Sequence, residues 1–399
     1  MKRRILLTCV ALGAMLSAMA QRHYTFNAVA LNVDGLPNKD VSLLFTTINV
    51  NPDGKNEAGA TELCGILANS GWDIVGLSED FNFHTQLTAA PASNYYNFGA
   101  HTGSVDVDNI LSAFSRNSCD GLGFACSNRL SFSGGDRTAW KEYYGTTDNG
   151  ADGLITKGFR VYTVTLATGV EVDVYVLHME AEDSSEDIAV RKKQLGELRD
   201  HILKTNKNKR PIVILGDTNC RYTRDELKTE FIDKINADSR FTIKDAWVEH
   251  VWGGTYPTYG SDAMMTHTYG MQKGEIVDKV FYINTTESRL TLKANSYLHD
   301  ESVSTVSDHK PVVVNFTITD PNGTPINKED SWTLEETVAT FTKPTWEGEK
   351  VVSGTDYYLM NVATGECVRT GGAYYTQAVS GNAALKITPT TANGGTLGC

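Results

Sequence analysis

Short β-rich runs alternate with a few helical stretches between residues 24 and 320, and this alternation constrains the fold more than any other feature. Apolar residues at helical spacing predict helices over Glu57–Ser70 and Ser185–Thr205. Seven runs rich in Val, Ile, Tyr and Phe predict strands: Phe26–Leu31, Ile74–Leu77, Phe159–Leu166, Val172–Leu177, Pro211–Leu215, Val277–Ile283 and Pro311–Ile318. The pattern predicts a layered α/β (α+β) domain.

The first twenty residues have the pattern of an export signal. Lys2, Arg3 and Arg4 precede an apolar run, and Ala18-Met19-Ala20 supplies small residues before Gln21. The apolar run is shorter than the ~20 residues that a membrane-spanning helix needs. We expect cleavage near Ala20-Gln21 and a secreted or periplasmic protein.

The charge of the chain disfavours one class of partner. Removal of residues 1–20 leaves 33 basic and 48 acidic residues, a net charge of −15. Proteins that bind nucleic acid without sequence preference depend on Lys and Arg that neutralise phosphates. Nucleic acid is therefore the less favoured partner, although one local basic groove would be compatible with an acidic remainder.

Six cysteines remain after the signal is removed, and export permits disulfides. Cys119 and Cys126 are the only close pair. A local staple between them and buried free thiols are both compatible with the sequence. The sequence does not choose among the pairings.

A turn-forming cluster, Asp320-Pro-Asn-Gly-Thr-Pro325, marks a domain boundary. We predict one domain over residues 21–320, a linker over 321–335 and a small β-rich accessory module over 336–399. Nothing in the module indicates its role, and we expect a monomer.

Polar residues follow or open most of the predicted strands, where the ends of neighbouring strands can converge at one rim of a sheet. These residues are Asn32, Glu79, His178, Asp217, Asn219, Asp278, Asp308 and His309. Carboxylates and amides without clustered Cys and His favour a hard cation, Mg²⁺ above all. Such a site would polarise a phosphate and activate water. Each residue alone has an ordinary structural interpretation, as a turn former or a core histidine.

Taken in order, Asn32, Glu79, His178, Gly216-Asp-Thr-Asn219, Asp278 and Ser307-Asp-His309 resemble the motif series of the endonuclease/exonuclease/phosphatase (DNase I-like) superfamily. Three further segments resemble the bacterial neutral sphingomyelinases: Asn32–Pro37, Lys157–Phe159 and His178–Asp183. The resemblance implies a two-layer β-sandwich flanked by helices and a metal-dependent phosphoric diester hydrolase. It also implies Mg²⁺, or another divalent cation, as cofactor.

The resemblance also implies a role for each residue. Glu79 would hold the metal with Asn32 beside it, and Asp308 would support a ligand or a second metal. His178 and Asn219 would hydrogen-bond the phosphoryl oxygens, with Asp217 against the scissile phosphate. Asp278 would orient His309, the general base, whose ordinary pKa near neutrality suits that role. Asp183 would lie on the substrate side or would support a residue that contacts the substrate.

One segment departs from the haemolytic sphingomyelinases, which carry an aromatic-tipped hairpin that enters membranes. The corresponding stretch, Ser288–His299, offers only Tyr297-Leu298 as a tip. A phospholipid is the leading substrate, with peripheral membrane contact. A secreted DNase I-like nuclease and a non-catalytic surface-binding protein are the alternatives.

Overall fold

The chain divides into two compact units, residues 1–323 and 324–399. A computed structural model describes residues 22–43, 46–109, 119–145, 152–205, 209–222, 224–255, 276–300 and 305–321 of the first unit. The predicted export signal and residues 322–335 of the predicted linker lie outside the described residues. In the second unit the structure describes two short antiparallel strand pairs: Tyr357–Tyr358 with Lys386–Ile387, and Cys367–Gly371 with Tyr375–Val379.

The described residues of the first unit form two six-stranded sheets and a small antiparallel strand pair, flanked by helices. The strands are β1 (Arg22–Asn32), β2 (Asp40–Leu43), β3 (Thr46–Asn49), β4 (Ile74–Ser78), β5 (Tyr96–Phe98), β6 (Gly123–Ser127), β7 (Ser131–Ala139), β8 (Gly158–Ala167), β9 (Val170–His178), β10 (Ile212–Asp217), β11 (Phe241–Asp245), β12 (Asp278–Thr285), β13 (Thr291–His299) and β14 (Val312–Asp320). One sheet has the order β13-β14-β1-β4-β6-β5 and the other β11-β12-β10-β9-β8-β7, while β2 pairs with β3.

Helices flank the sheets. They are α1 (Asn56–Ser70), α2 (His84–Leu87), α3 (Ser185–Thr205), α4 (Asp233–Asn236) and α5 (Ala246–Val251). α1 buries Leu63 and Leu67 and ends at Gly71, whose φ of 68° is the left-handed conformation that terminates helices. α3 buries Leu195, Leu198 and Ile202. The bounds predicted for α3 match, and α1 begins one residue earlier than predicted.

The two sheets pack face to face through apolar side chains of their central strands. Ala28 and Ala30 of β1, Val176 of β9 and Leu215 of β10 are fully buried in this shared core. Gly76 of β4 allows a close approach of the two sheets, since a Cβ there would lie 3.0 Å from Leu215 Cβ and 3.1 Å from a Val176 methyl. The observed sandwich with flanking helices is the predicted fold class.

Several strands were not predicted from the sequence. β7 contains Gly134 and Gly135, both at positive φ, and its ladder with β8 shifts register between Gly134 and Asp136. β13 occupies the stretch compared with a membrane-entering hairpin, but it pairs along its length with β14 as an edge strand. Leu298 is 55% exposed on it, while Tyr297 packs against the core.

In the described residues, no two cysteines are joined by a disulfide and no helix could span a membrane. Cys64, Cys119, Cys126 and Cys220 are buried and form no disulfide, so the staple between Cys119 and Cys126 is absent. Among the described helices, none has the length and apolar character to cross a membrane.

Candidate active site

Strand topology brings the predicted polar residues to one edge of the sandwich. β1 and β4 run parallel, with Asn32 opposite Ser78, so Glu79 follows directly beside Asn32. β9 and β10 are also parallel, with His178 opposite Asp217. β12 is antiparallel to β10, so its first residue, Asp278, faces the last residue of β10.

His309 reaches the same edge from the sheet that contains β1 and β4. β14 is antiparallel to β1, with Val312 opposite Ala30, so the segment before β14 lies at the end of β1. Ser307 fixes that segment: its hydroxyl donates to the Asn32 carbonyl over 2.8 Å and accepts from the His309 backbone N–H over 3.0 Å.

Asn32 joins the two sheets at the centre of the site. Its buried amide donates to Glu79 Oε1 over 2.9 Å and to Asp217 Oδ2 over 3.2 Å. Burial raises the pKa of Glu79 to about 7, against the opposing effect of the Asn32 hydrogen bond. Asp217 differs: burial alone would raise its pKa, but His309 and His178 hold it below the ordinary value. Two carboxylates thus share one amide.

His178 is a buried neutral imidazole. Burial, and then the nearby Lys157 ammonium, lower its pKa well below the ordinary value. Its Nδ1 has no hydrogen-bond partner among the described residues, whereas its Nε2 faces two carboxylate oxygens, so we place the proton on Nε2. Nε2 lies 3.7 Å from Asp217 Oδ2 and 3.9 Å from Glu79 Oε1, too far for strong bonds to either. Its N–H is therefore available to an oxygen placed between them.

His309 and Asp278 form a tight pair. His309 Nδ1 donates to Asp278 Oδ2 over 2.5 Å, which leaves Nε2 as the outward-facing nitrogen, 4.0 Å from Asp217 Oδ2. Burial alone would lower the pKa of His309, but Asp278 and then Asp217 raise it well above the ordinary value. Burial raises the pKa of Asp278, although the imidazole opposes that effect. A carboxylate that fixes the tautomer and orientation of an imidazole prepares it to accept a proton.

Three predicted site residues lie farther from this centre. Asn219, at a φ of 50°, donates its amide to the Met179 carbonyl over 3.2 Å. Asp183 binds Arg221 over 2.6 Å and Arg224 over 2.7 Å at the surface. The Asp308 side chain is 73% exposed, and its Oδ1 lies 4.0 Å from His309 Nε2, at the rim.

Positive φ angles also occur in the backbone around the site. Gly216 has a φ of 146°, and a Cβ there would lie 2.0 Å from the Leu177 carbonyl oxygen. Only glycine allows β10 to approach β9 this closely just before Asp217. Glu79 has a φ of 57°, uncommon for a residue with a side chain. Such strain is often found at functional sites.

Sequence reasoning missed three charged residues that act on this site. Lys157, buried and paired with Asp152 over 2.5 Å, donates to the Met179 carbonyl over 3.2 Å and lowers the pKa of His178. Burial and then Asp308 raise the pKa of Asp34 to about 6. Arg224 donates to the Asn219 carbonyl over 3.1 Å. Lys157 lies in a segment used for the resemblance, but no local pattern marks its role.

The donors at the centre fit a divalent cation. Glu79, His178 and Asp217 each place one nitrogen or oxygen atom within 4.8 Å of the others, and so do Asp217, Asp278 and His309. Because Nε2 of His178 carries a proton, the groups of the first cluster that can bind the ion are the carboxylates of Glu79 and Asp217. The raised pKa of the Glu79 carboxyl indicates a carboxylate whose charge is poorly compensated by the protein alone. A hard cation on the carboxylate oxygens would supply that compensation.

Comparisons with known proteins identify a family and several similar solved structures. A model described as the Endonuclease/Exonuclease/phosphatase family matches residues 29–309. No curated protein matches the sequence. Similar solved structures include sphingomyelinase C from Streptomyces griseocarneus, at 16% identity, covering 73% of this chain and 99% of that chain, with a TM-score of 0.48. The human Nocturnin catalytic domain has 15% identity, covers 75% and 97%, and has a TM-score of 0.48. D. rerio TDP2 complexed with single strand DNA product has 16% identity, covers 73% and 98%, and has a TM-score of 0.46.

Proposed function

Because this chain belongs to the endonuclease/exonuclease/phosphatase family, a family of hydrolases, we propose that it is an exported phosphodiesterase that cleaves sphingomyelin or a related choline or inositol phospholipid. The observation that carries the chemistry is the pair of His309 and Asp278, which faces Asp217 across 4.0 Å. This arrangement supports general-base activation of water beside a phosphate.

The reaction is an in-line attack of water at phosphorus: the new bond joins the water oxygen to phosphorus, the bond from phosphorus to the lipid alcohol oxygen breaks, and that oxygen leaves and takes a proton from solvent. His309 Nε2 accepts the proton of the attacking water, while Asp278 holds the ring through Nδ1 and stabilises the imidazolium that forms. His178 Nε2–H and the Asn219 amide donate to the phosphoryl oxygens. Asp217 lies against the phosphate and, being acidic, adds to the field that stabilises protonated His309.

A divalent cation, Mg²⁺ in the leading form of the proposal, would be held by Glu79 with Asn32 beside it and would neutralise charge on the phosphate and the leaving oxygen. Asp308 lies at the rim and would support a ligand or a second metal. The side chains of the protein, and not the cation, position the substrate and accept the proton.

Charge at the rim supports a lipid rather than a nucleic acid. Asp183 neutralises both Arg221 and Arg224 beside Asn219, and the remainder of the mature chain is acidic. A polyanion gains little from arginines that are already paired. Asp183 in this proposal shapes the substrate side by holding the two arginines.

Two tyrosines support peripheral contact with a lipid surface. Tyr143 and Tyr144 are 45% and 42% exposed, and the Tyr144 backbone N–H donates to Glu180 Oε1 over 3.0 Å, two residues beyond His178. Tyrosine favours the interface between water and lipid, where its ring is buried and its hydroxyl remains wet.

An activity panel on the purified protein tests the proposal. Liposomes of sphingomyelin, phosphatidylcholine and phosphatidylinositol are compared with plasmid DNA, each with Mg²⁺ and with chelator. We expect metal-dependent release of the phosphorylated headgroup from at least one lipid and little DNA cleavage. Robust DNA cleavage without lipid hydrolysis would establish the nuclease alternative instead, and inactivity on all four would favour a binding protein.

A further inference from the structure

The segment that follows β1 contacts Glu79 at both its side chain and its backbone. The Asn32 amide donates to Glu79 Oε1 over 2.9 Å, and the Gly35 backbone N–H donates to the Glu79 carbonyl over 3.0 Å. Between these two contacts, the Val33 N–H donates to the Ser78 carbonyl over 2.9 Å, which extends the parallel ladder of β1 and β4. The position of this short segment therefore sets the position of Glu79.

Gly35 lies so close to the turn after β4 that no side chain fits there. A Cβ on Gly35 would lie 2.2 Å from the Glu79 carbonyl oxygen, 3.0 Å from the Phe81 backbone nitrogen and 3.3 Å from the Glu79 carbonyl carbon. All three atoms belong to the backbone, so they cannot rotate away as the end of a side chain could. Alanine at this position would force the two segments apart and would move Glu79.

Hydrogen bonds to the Gly35 segment hold Glu79 in an unfavourable backbone conformation. The φ of 57° at Glu79 lies in the left-handed region, which a Cβ disfavours. The Glu79 carbonyl accepts from the N–H of Gly35 over 3.0 Å and from that of Phe81 over 2.8 Å. The Asn82 N–H donates in turn to the Gly35 carbonyl over 3.1 Å. The turn after β4 is thus fixed from the side of β1.

The segment before β6 fixes the same turn from the opposite side, since β4 lies between β1 and β6 in its sheet. The backbone N–H of Asp80 donates to the Gly121 carbonyl over 2.9 Å. The buried carboxylate of Asp80 lies 2.6 Å from His84 Nδ1. Because the turn is bonded on this side as well, a displacement that starts at Gly35 is passed on to Glu79.

We propose that Gly35 is a positioning residue for the metal ligand Glu79. This inference rests on the proposed function, in which Glu79 holds the divalent cation. The Gly35 N–H holds the left-handed turn, and the turn places the Glu79 carboxylate beside the Asn32 amide, with Oε1 at 3.9 Å from His178 Nε2. Loss of a contact that supports a metal ligand costs about 10- to 100-fold in metal affinity.

Binding of Mn²⁺ to the metal-free protein, followed by the EPR signal of the free ion, tests this inference without substrate. The wild type is compared with Gly35→Ala, with Glu79→Gln and with Gly65→Ala. Gly65 lies in α1, where an added Cβ would meet nothing within 4 Å, so Gly65→Ala is the matched control. We expect the Mn²⁺ affinity to fall at least tenfold in Gly35→Ala and in Glu79→Gln, and to be unchanged in Gly65→Ala.

The outcomes separate this inference from the proposed function. Weak binding by Glu79→Gln together with wild-type binding by Gly35→Ala would overturn the positioning role and leave the metal assignment intact. Wild-type binding by Glu79→Gln would overturn the metal assignment and this inference with it. The Gly35→Ala/Glu79→Gln double variant should bind no more weakly than Glu79→Gln, because Gly35 acts through Glu79. Additive losses in the double variant would contradict that coupling.

A comparison at position 79 decides the question even if Gly35→Ala fails to fold. In the metal-free protein, Glu79→Gly should unfold at a higher denaturant concentration than Glu79→Ala, because glycine adopts the left-handed conformation without the penalty of a Cβ. An equal or higher midpoint for Glu79→Ala would show that the turn does not hold residue 79 in this conformation, and would overturn the proposal.

Discussion

Replacement of His309 by alanine removes the proposed base and also leaves the buried Asp278 carboxylate without the imidazole that it binds over 2.5 Å. Loss of a positioned general base lowers the rate by ~10²- to 10⁴-fold, or about 3 to 5 kcal/mol of barrier at ~1.4 kcal/mol per tenfold. An uncompensated buried charge also costs about 3 kcal/mol of folding stability. The variant should therefore lose both turnover and stability.

The two losses have different pH dependence and can be separated. Burial raises the pKa of Asp278, and the His309 imidazole opposes that rise. The alanine variant lacks the imidazole, so the pKa of Asp278 should rise further. Above the unfolded pKa of ~4 the charged form disfavours the folded state, so the stability loss should be large at pH 8 and relieved near pH 4. The His309→Ala/Asp278→Asn double variant should regain most of the stability and none of the activity.

Thermal unfolding and turnover per folded molecule are measured on the two variants and on Asp278→Asn alone. Asp278→Asn should lose less activity, because an amide oxygen can still accept from Nδ1. It should also move the rising limb of the pH–rate profile to lower pH, since the Asp278 carboxylate raises the pKa of His309. A His309→Ala protein with near-normal turnover in its folded fraction would refute the assignment of His309 as base.

Other perturbations test the metal, the backbone and the domain boundary. Glu79→Gln should reduce Mg²⁺-dependent turnover by at least ~10²-fold, because loss of a contact that merely supports a metal ligand already costs about 10- to 100-fold. The melting temperature should stay nearly unchanged. Normal turnover at saturating Mg²⁺ would exclude Glu79 as a ligand. Gly216→Ala should destabilise the protein by about 1–3 kcal/mol in a denaturant titration because of its φ of 146°; an unchanged midpoint would contradict this. Truncation after Gly323 should leave a folded, active enzyme by circular dichroism and lipid hydrolysis, whereas an insoluble product would assign part of the core to the second unit.

The sequence predicted the elements that carry their own signal. β9, β10 and β14 are rich in β-branched residues, β1 ends in a buried apolar run, and α3 buries Val190, Leu195, Leu198 and Ile202 at helical spacing. Periodicity identifies such elements directly. The site residues were predictable for a related reason, since each is a polar residue at the end of a recognisable strand.

Other features depend on contacts between distant segments. β7 carries two glycines and β13 alternates exposed and buried residues along an edge, so both are defined by their partner strands. The close approach of Gly35 to Glu79 is set by the parallel ladder between β1 and β4. The raised pKa of His309 likewise requires the distances to Asp278 and Asp217, whereas the sequence alone indicated an ordinary value near neutrality.

Hydrolysis of sphingomyelin vesicles in ¹⁸O-enriched water, with Mg²⁺ present, tests the central claim most directly. Attack of water at phosphorus predicts that the released phosphorylcholine carries one ¹⁸O atom by mass spectrometry while the ceramide hydroxyl carries none. When His309 is replaced by glutamine, hydrolysis should fall, and the amount of labelled phosphorylcholine should fall with it. Label in the ceramide, or release of product without label in the phosphate group, would contradict an attack of water at phosphorus.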